Sequence, residues 1–228
     1  MNGHHTEKTQ LEGLVLRRKE YPASSSLLFW LLDPQLGKVP CWWKGGLRRR
    51  GKKKGYMPVD LLRVLCVSTY AKSSEGFYLV REVQVLEDYA AIAKSYPHFQ
   101  ATSAIVDLLW HNTHEGLDAS VKYEMAKNIL RRMKNWVESQ ETQPAPFVAI
   151  TGAILVLCFE EGVLPAFSRL PQERAQNMRE TIAAFLDASL PLPSFSTEQW
   201  RKIHTWVLKQ AQQGHLVLPD GGPPPLLS

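Results

Sequence analysis

A chain of 228 residues, 44% hydrophobic and 21% charged, is long enough for one large domain or two small ones and too apolar for wholesale disorder. Its net charge of +5 is unevenly spread: Lys38, Lys44, Arg48, Arg49, Arg50, Lys52, Lys53 and Lys54 all lie between Asp33 and Asp60 with no acid among them, so the remainder is net negative. Clustered cations displace counterions, which points to a polyanion partner; three scattered cysteines exclude a disulfide framework or thiolate zinc site and suit a reducing cytoplasm.

In chain order, residues 1–10 are polar, lack the apolar stretch of a signal peptide, and read as a flexible lead-in. Residues 11–19 are rich in Leu and Val and stop at Tyr21-Pro22. An apolar run over 27–32 closes on the turn pair Asp33-Pro34, and a third short run covers 39–43. Residues 59–69 alternate in part, with Leu61, Arg63, Leu65 and Val67 expected on one side of a strand. A last strand, 77–86, follows the turn-like Ser73-Ser74-Glu75-Gly76. Five strands over 11–87, with no helical pattern between them, predict a small closed barrel, and the OB-fold is the five-stranded barrel most used on nucleic acid.

The pattern then turns helical over 88–220. Residues 90–94 and 100–114 read as helices interrupted by Pro97. Residues 118–140 form a long amphipathic pattern with Val121, Met125, Ile129, Met133 and Trp136 at helical spacing. Pro144-Ala145-Pro146 breaks the chain before an apolar helix over 147–159, too short to span a bilayer, so no membrane association is expected. Helices over 172–188 and 197–213 follow, the second with Ser196 or Thr197 as its cap, and the Gly/Pro-rich 221–228 reads as a mobile tail. The predicted class is α+β: an N-terminal five-stranded OB-fold β-barrel followed by an α-helical domain.

The segment richest in chemistry is Trp42-Trp43-Lys44-Gly45-Gly46-Leu47-Arg48-Arg49-Arg50-Gly51-Lys52-Lys53-Lys54-Gly55-Tyr56. Its cations suit phosphates and its aromatics suit unstacked bases, each stacked base being worth about 1–3 kcal/mol. Trp42 and Trp43 are neighbours on a strand and must face opposite ways, so only one of them can readily serve such a surface. Other constellations carry less. His111 and His114 lack a further ligand nearby, so no metal is expected. Glu160 and Glu161 diverge by about 100° on a helix and make no acid/base dyad. No phosphate-binding loop, nucleophile elbow or HExxH motif is present, so neither an enzyme nor a cofactor is expected.

Leu11-Glu12-Gly13-Leu14-Val15-Leu16-Arg17-Arg18-Lys19-Glu20-Tyr21 is similar to the opening, and Ser26-Leu27-Leu28-Phe29-Trp30-Leu31-Leu32 to the second strand, of the RecO family of bacterial recombination mediators. Lys44-Gly45-Gly46-Leu47-Arg48-Arg49 approximates its Lys-Gly-Ala-Arg segment, with Gly46 in place of Ala. The stretch 147–165, ending Glu161-Gly162-Val163-Leu164-Pro165, resembles an apolar helix closed by a Gly-x-x-Pro turn. The four zinc-binding cysteines of some members are absent.

The resemblance implies an OB-fold that binds single- and double-stranded DNA, joined to a helical domain. It implies strand annealing and loading of the RecA recombinase onto DNA coated by single-strand-binding protein. The implied partners are RecR and the acidic C-terminal tail of single-strand-binding protein, in a nucleoid-associated cytoplasmic setting. For phosphate contact the expected residues are Lys44, Arg48, Arg49, Arg50, Lys52, Lys53 and Lys54, flanked by Arg17 and Arg18, with Trp43 and Tyr56 as stacking residues. Arg131, Arg132 and Lys134 beside Met133 and Trp136 are the expected rim of a partner groove. The alternatives are a protein-interaction adaptor with incidental DNA affinity, or an RNA-binding barrel.

Overall fold

The computed structural model describes residues 9–47, 57–139 and 144–218. The expected lead-in except for residues 9 and 10, the 48–56 part of the basic run, and the expected tail lie outside these. Among the described residues, a closed five-stranded barrel is followed by five α-helices.

Strand β1 (Gln10–Tyr21) serves two neighbours. Its first half pairs with β4 (Arg63–Lys72), from Gln10↔Ser68 to Leu14↔Val64. From Leu14 to Tyr21 it pairs with β2 (Ser26–Asp33), and a bulge between Val15 and Arg17 bends the strand, as barrel closure requires. Gly13 sits at this corner, where a Cβ would lie 2.7 Å from the Leu32 carbonyl oxygen. The Asp33-Pro34 turn forms as its residues predict: Asp33 Oδ1 accepts from the N–H groups of Gln35 (2.9 Å) and Leu36 (3.0 Å). It leads into β3 (Gly37–Trp43), whose first residue takes a φ of 68°.

The ring order is β1-β2-β3-β5-β4. All pairings are antiparallel except that of β3 with β5 (Tyr78–Asp88), which runs parallel through Cys41↔Tyr78 and Trp42↔Leu79. Leu11, Val15, Phe29, Leu31, Leu65 and Val67 fill the interior together with Val59, which precedes β4. The alternation expected over 59–69 therefore begins late. Leu61 is exposed and outside the strand, because Val59 is already buried and Leu62 turns through a φ of 64°. Arg63 fastens this approach, donating to the Met57 carbonyl and, at 3.0 Å, to Asp88.

The compact units are not contiguous in sequence: Thr113–Tyr123 groups with Met1–Ala90, and Ala91–Asn112 with Glu124–Ser228. Backbone bonds explain the first grouping. Lys38 N–H donates to His114 O (3.1 Å), Gly116 N–H to Leu36 O (2.8 Å) and Ala119 N–H to Pro34 O (2.9 Å). The Tyr123 hydroxyl reaches Glu12 at 2.6 Å.

In the helical unit, a 3-10 turn (Ala90–Lys94) precedes α1 (Tyr96–Asn112). Pro97 does not interrupt a helix. It lies in the first turn of α1, where an N–H would have no intrahelical acceptor. Helix α1 ends at Asn112, short of the expected 114, so His111 and His114 do not share a helical face. Helix α2 (Ser120–Glu138) begins in the barrel unit. Helix α3 (Phe147–Glu160) is buried on every side from Phe147 to Cys158 and packs with α1, α4 (Gln172–Leu186) and α5 (Thr197–Gln213). Gly152 permits the α3–α4 approach, since a Cβ there would lie 2.2 Å from the Phe185 ring. Ser196 caps α5 through a capping box, Oγ accepting from Gln199 N–H at 3.2 Å while Gln199 Oε1 accepts from Ser196 N–H at 2.7 Å. No helix among the described residues is long and apolar enough to cross a membrane.

Candidate nucleic-acid interface

Register defines an outer face on the barrel. Arg17 lies opposite Trp30 and Trp30 opposite Pro40; Lys19 lies opposite Leu28 and Leu28 opposite Trp42. Cross-strand partners share a face, and successive residues alternate. Phe29 and Cys41 are in the core, so Leu28, Trp30 and Trp42 point away from it, and Arg17, Lys19 and Tyr21 with them.

The outer face is aromatic as well as cationic. The Tyr21 and Trp42 rings lie 5.1 Å apart at 54°, and Trp42 and Phe77 lie 6.5 Å apart at 50°. Lys19 Nζ stands 5.2 Å over the Tyr21 ring. Lys44, two residues beyond Trp42, is exposed, as are Arg17 and Lys19. Lys38 holds its proton less tightly than an ordinary lysine, because burial and then the like charge of Arg17 disfavour its ammonium, against the opposing pull of Glu115.

The expected site residues divide on this frame. Lys44 and Arg17 stand on the surface. Arg18 is tied to its own chain: it donates to the Val59 carbonyl at 3.2 Å and pairs with Glu20 and Asp60, each at 3.5 Å. Trp43 packs against the barrel core, and a Cβ on Gly46 would meet its indole at 2.7 Å. The tryptophan on the outer face is Trp42. Counting parity from the apolar Cys41, which is buried, would have assigned the pair. Arg48, Arg49, Arg50, Lys52, Lys53, Lys54 and Tyr56 lie outside the described residues.

On α2, Met133 is fully buried and Trp136 half-buried, so no open apolar groove lies between the cations there. Arg132 reaches the end of α4, donating to the carbonyls of Ala184 (2.8 Å), Asp187 (3.0 Å) and Leu190. Burial lowers its pKa and Asp187 opposes that shift. Arg131 is exposed and Lys134 half-buried. A cleft of about 360 Å³ that local sequence patterns gave no sign of opens among α3, α4 and α5 instead. Leu155, Met178, Ile203 and Trp206 line it, with Arg174 and Lys202. The Arg174 guanidinium lies 4.9 Å over Trp206, and Lys202 Nζ is 2.7 Å from Glu198.

Among the described residues, no three His, Cys, Asp or Glu side chains gather as a metal site would need. Burial pushes the Cys41 thiol far up and that of Cys158 up to about 12, so neither forms a ready thiolate. A comparison with protein-family models and with curated proteins finds no match for this chain.

Proposed function

We propose that the protein is a non-enzymatic DNA-binding protein that anneals complementary strands and acts as a recombination mediator in DNA repair. The observation that carries this reading is the outer face of the barrel, where Arg17 and Lys19 share a face with Tyr21 and Trp42, and Lys44, two residues beyond Trp42 in sequence, is exposed. Cations there neutralise phosphates and screen the repulsion between two backbones that annealing must overcome. A closed five-stranded barrel whose one parallel pairing joins β3 to β5 supports an OB-fold assignment. The resemblance to RecO extends the proposed role to loading RecA onto DNA coated by single-strand-binding protein, with RecR and that protein's C-terminal tail as partners in the bacterial cytoplasm.

A strand-annealing assay tests the reading. Replacing Arg48, Arg49 and Arg50 with Glu is expected to abolish annealing while leaving the thermal transition unchanged, and unaltered annealing in that variant overturns the assignment of the basic run. Each phosphate contact on a single strand contributes about 0.7 to the slope of log K against log salt, so the affinity of the parent protein falls steeply with salt.

The α3–α4–α5 cleft favours a second reading, that of a protein-interaction adaptor, because an apolar lining with Arg174 and Lys202 suits an acidic peptide with apolar side chains. An adaptor binds labelled single strands weakly and with a shallow salt slope.

A further inference from the structure

Trp42 is the central member of a three-ring group on the outside of the barrel. Tyr21 comes from the end of β1, just before Pro22. Phe77 comes from the hairpin between β4 and β5, where the Phe77 N–H donates to Ser73 Oγ at 3.0 Å and its carbonyl accepts from the Ser73 N–H at 2.7 Å. The end of β1 and the β4–β5 hairpin thus each bring a ring against a residue paired within β3. Both neighbours are tilted from the Trp42 plane by 50° or more, so neither lies flat on it. Trp43, at the next position, packs against the interior, while Tyr21, Trp42 and Phe77 each stay partly exposed.

Resting on the DNA-binding reading above, we infer that Tyr21, Trp42 and Phe77 form a base-stacking subsite that selects single-stranded over double-stranded DNA, with Lys19 and Lys44 taking adjacent phosphates. The selectivity follows from what each form of DNA offers. In a duplex both faces of every base are covered by neighbours and only edges and backbone are open, whereas a single strand can turn a base face onto an aromatic ring. Cations alone do not discriminate in this way, because both forms carry phosphates.

The test is equilibrium binding of full-length protein to a labelled oligothymidylate of about 16 nucleotides and to its matched duplex, at two salt concentrations. Trp42→Ala is expected to weaken single-strand binding by about 5- to 150-fold, the range that loss of one stacked base gives, with duplex binding changed by less than about twofold. Trp42→Phe restores most of the loss. The salt slope is unchanged in both variants, while Lys19→Ala flattens it by about 0.7. Phe77→Ala, in the hairpin, reads the same subsite without touching a regular strand position. Equal losses on the two DNA forms, or unaltered single-strand affinity in both alanine variants, overturn the subsite. If the parent protein binds with a steep salt slope while those variants match it, only the subsite falls. If the parent shows no salt-dependent binding to either form, the DNA-binding reading falls with it.

Discussion

In the barrel unit, Arg17, Lys19 and Lys44 stand exposed on or beside an outer face, next to rings that point away from the core. In the helical unit, Arg132 is spent on the carbonyls of Ala184, Asp187 and Leu190, and Asn112 bridges the carbonyls of Leu108 and Val217, each at 2.8 Å. His204 meets Thr151 in a buried pair. The first set lies on the exposed side of the barrel; the second faces the protein's own backbone. A run of cations in a sequence therefore locates a binding surface only after the partner of each cation is known. Arg18 makes the same point within the barrel unit: although it lies in a basic stretch of β1, it is bound to the Val59 carbonyl, Glu20 and Asp60.

The largest test of this contrast is a packing change in the helical unit. Phe185 is fully buried against Gly152, and Phe185→Ala is expected to lower stability by about 3–5 kcal/mol in urea denaturation. DNA affinity per folded molecule should not move. A parallel loss of affinity in the folded fraction would mean that the helical unit also serves the binding surface.

Much of this division was legible in the sequence, and the misses share a cause. The strands and turns were readable because Asp33-Pro34, the apolar run of β2 and the breaks at Pro144 and Pro146 are local signals. The parallel contact of β3 with β5, which closes the barrel, joins residues far apart in the chain and leaves no local pattern. The same holds for Thr113–Tyr123, which carries helix-flanking residues but is fixed by bonds to the Pro34–Lys38 turn. At Trp42 and Trp43 the information was present, in the parity set by Cys41 and Val39, but it decides only once both are known to be buried. Arg132 was readable as a cation near a helix end. That the carbonyls it serves belong to another helix was not.

A second test compares two arginines directly. Arg132→Ala strips donors from three carbonyls at the end of α4 and is expected to cost about 1.5–3 kcal/mol, the range for bonds to a charged group. Arg17→Ala is expected to change stability by no more than about 0.5 kcal/mol while weakening DNA binding and flattening its salt slope. The opposite pattern, a stable Arg132 variant and an unfolding Arg17 variant, would invert the roles assigned to the two units.

The smallest expected effect is a pH dependence confined to the helical unit. His204 is buried, edge-on to Phe147 with ring centroids 5.9 Å apart, and its Nδ1 lies 2.8 Å from Thr151 Oγ1. Thr151 gives its one proton to the Phe147 carbonyl at 2.8 Å, so Nδ1–H is the donor to Thr151 and the neutral ring satisfies the pair. Burial lowers the pKa of His204 below its ordinary 6.5, and burial lowers that of His98 as well. The unfolded chain therefore binds more protons than the folded one in this range. Stability is fully present above about pH 6.5 and falls as the pH drops toward the lowered folded values, by up to about 1.4 kcal/mol per pH unit for one fully buried histidine. His204→Asn keeps a side-chain donor beside Thr151 but cannot titrate, so its stability should fall less steeply between pH 6.5 and 5 than that of the parent. His98, whose pKa burial also lowers, contributes to the slope that remains. Identical slopes in parent and variant would show that burial does not hold the His204 ring neutral, and that this inward-facing group of the helical unit is less committed to the fold than its burial and hydrogen bond imply.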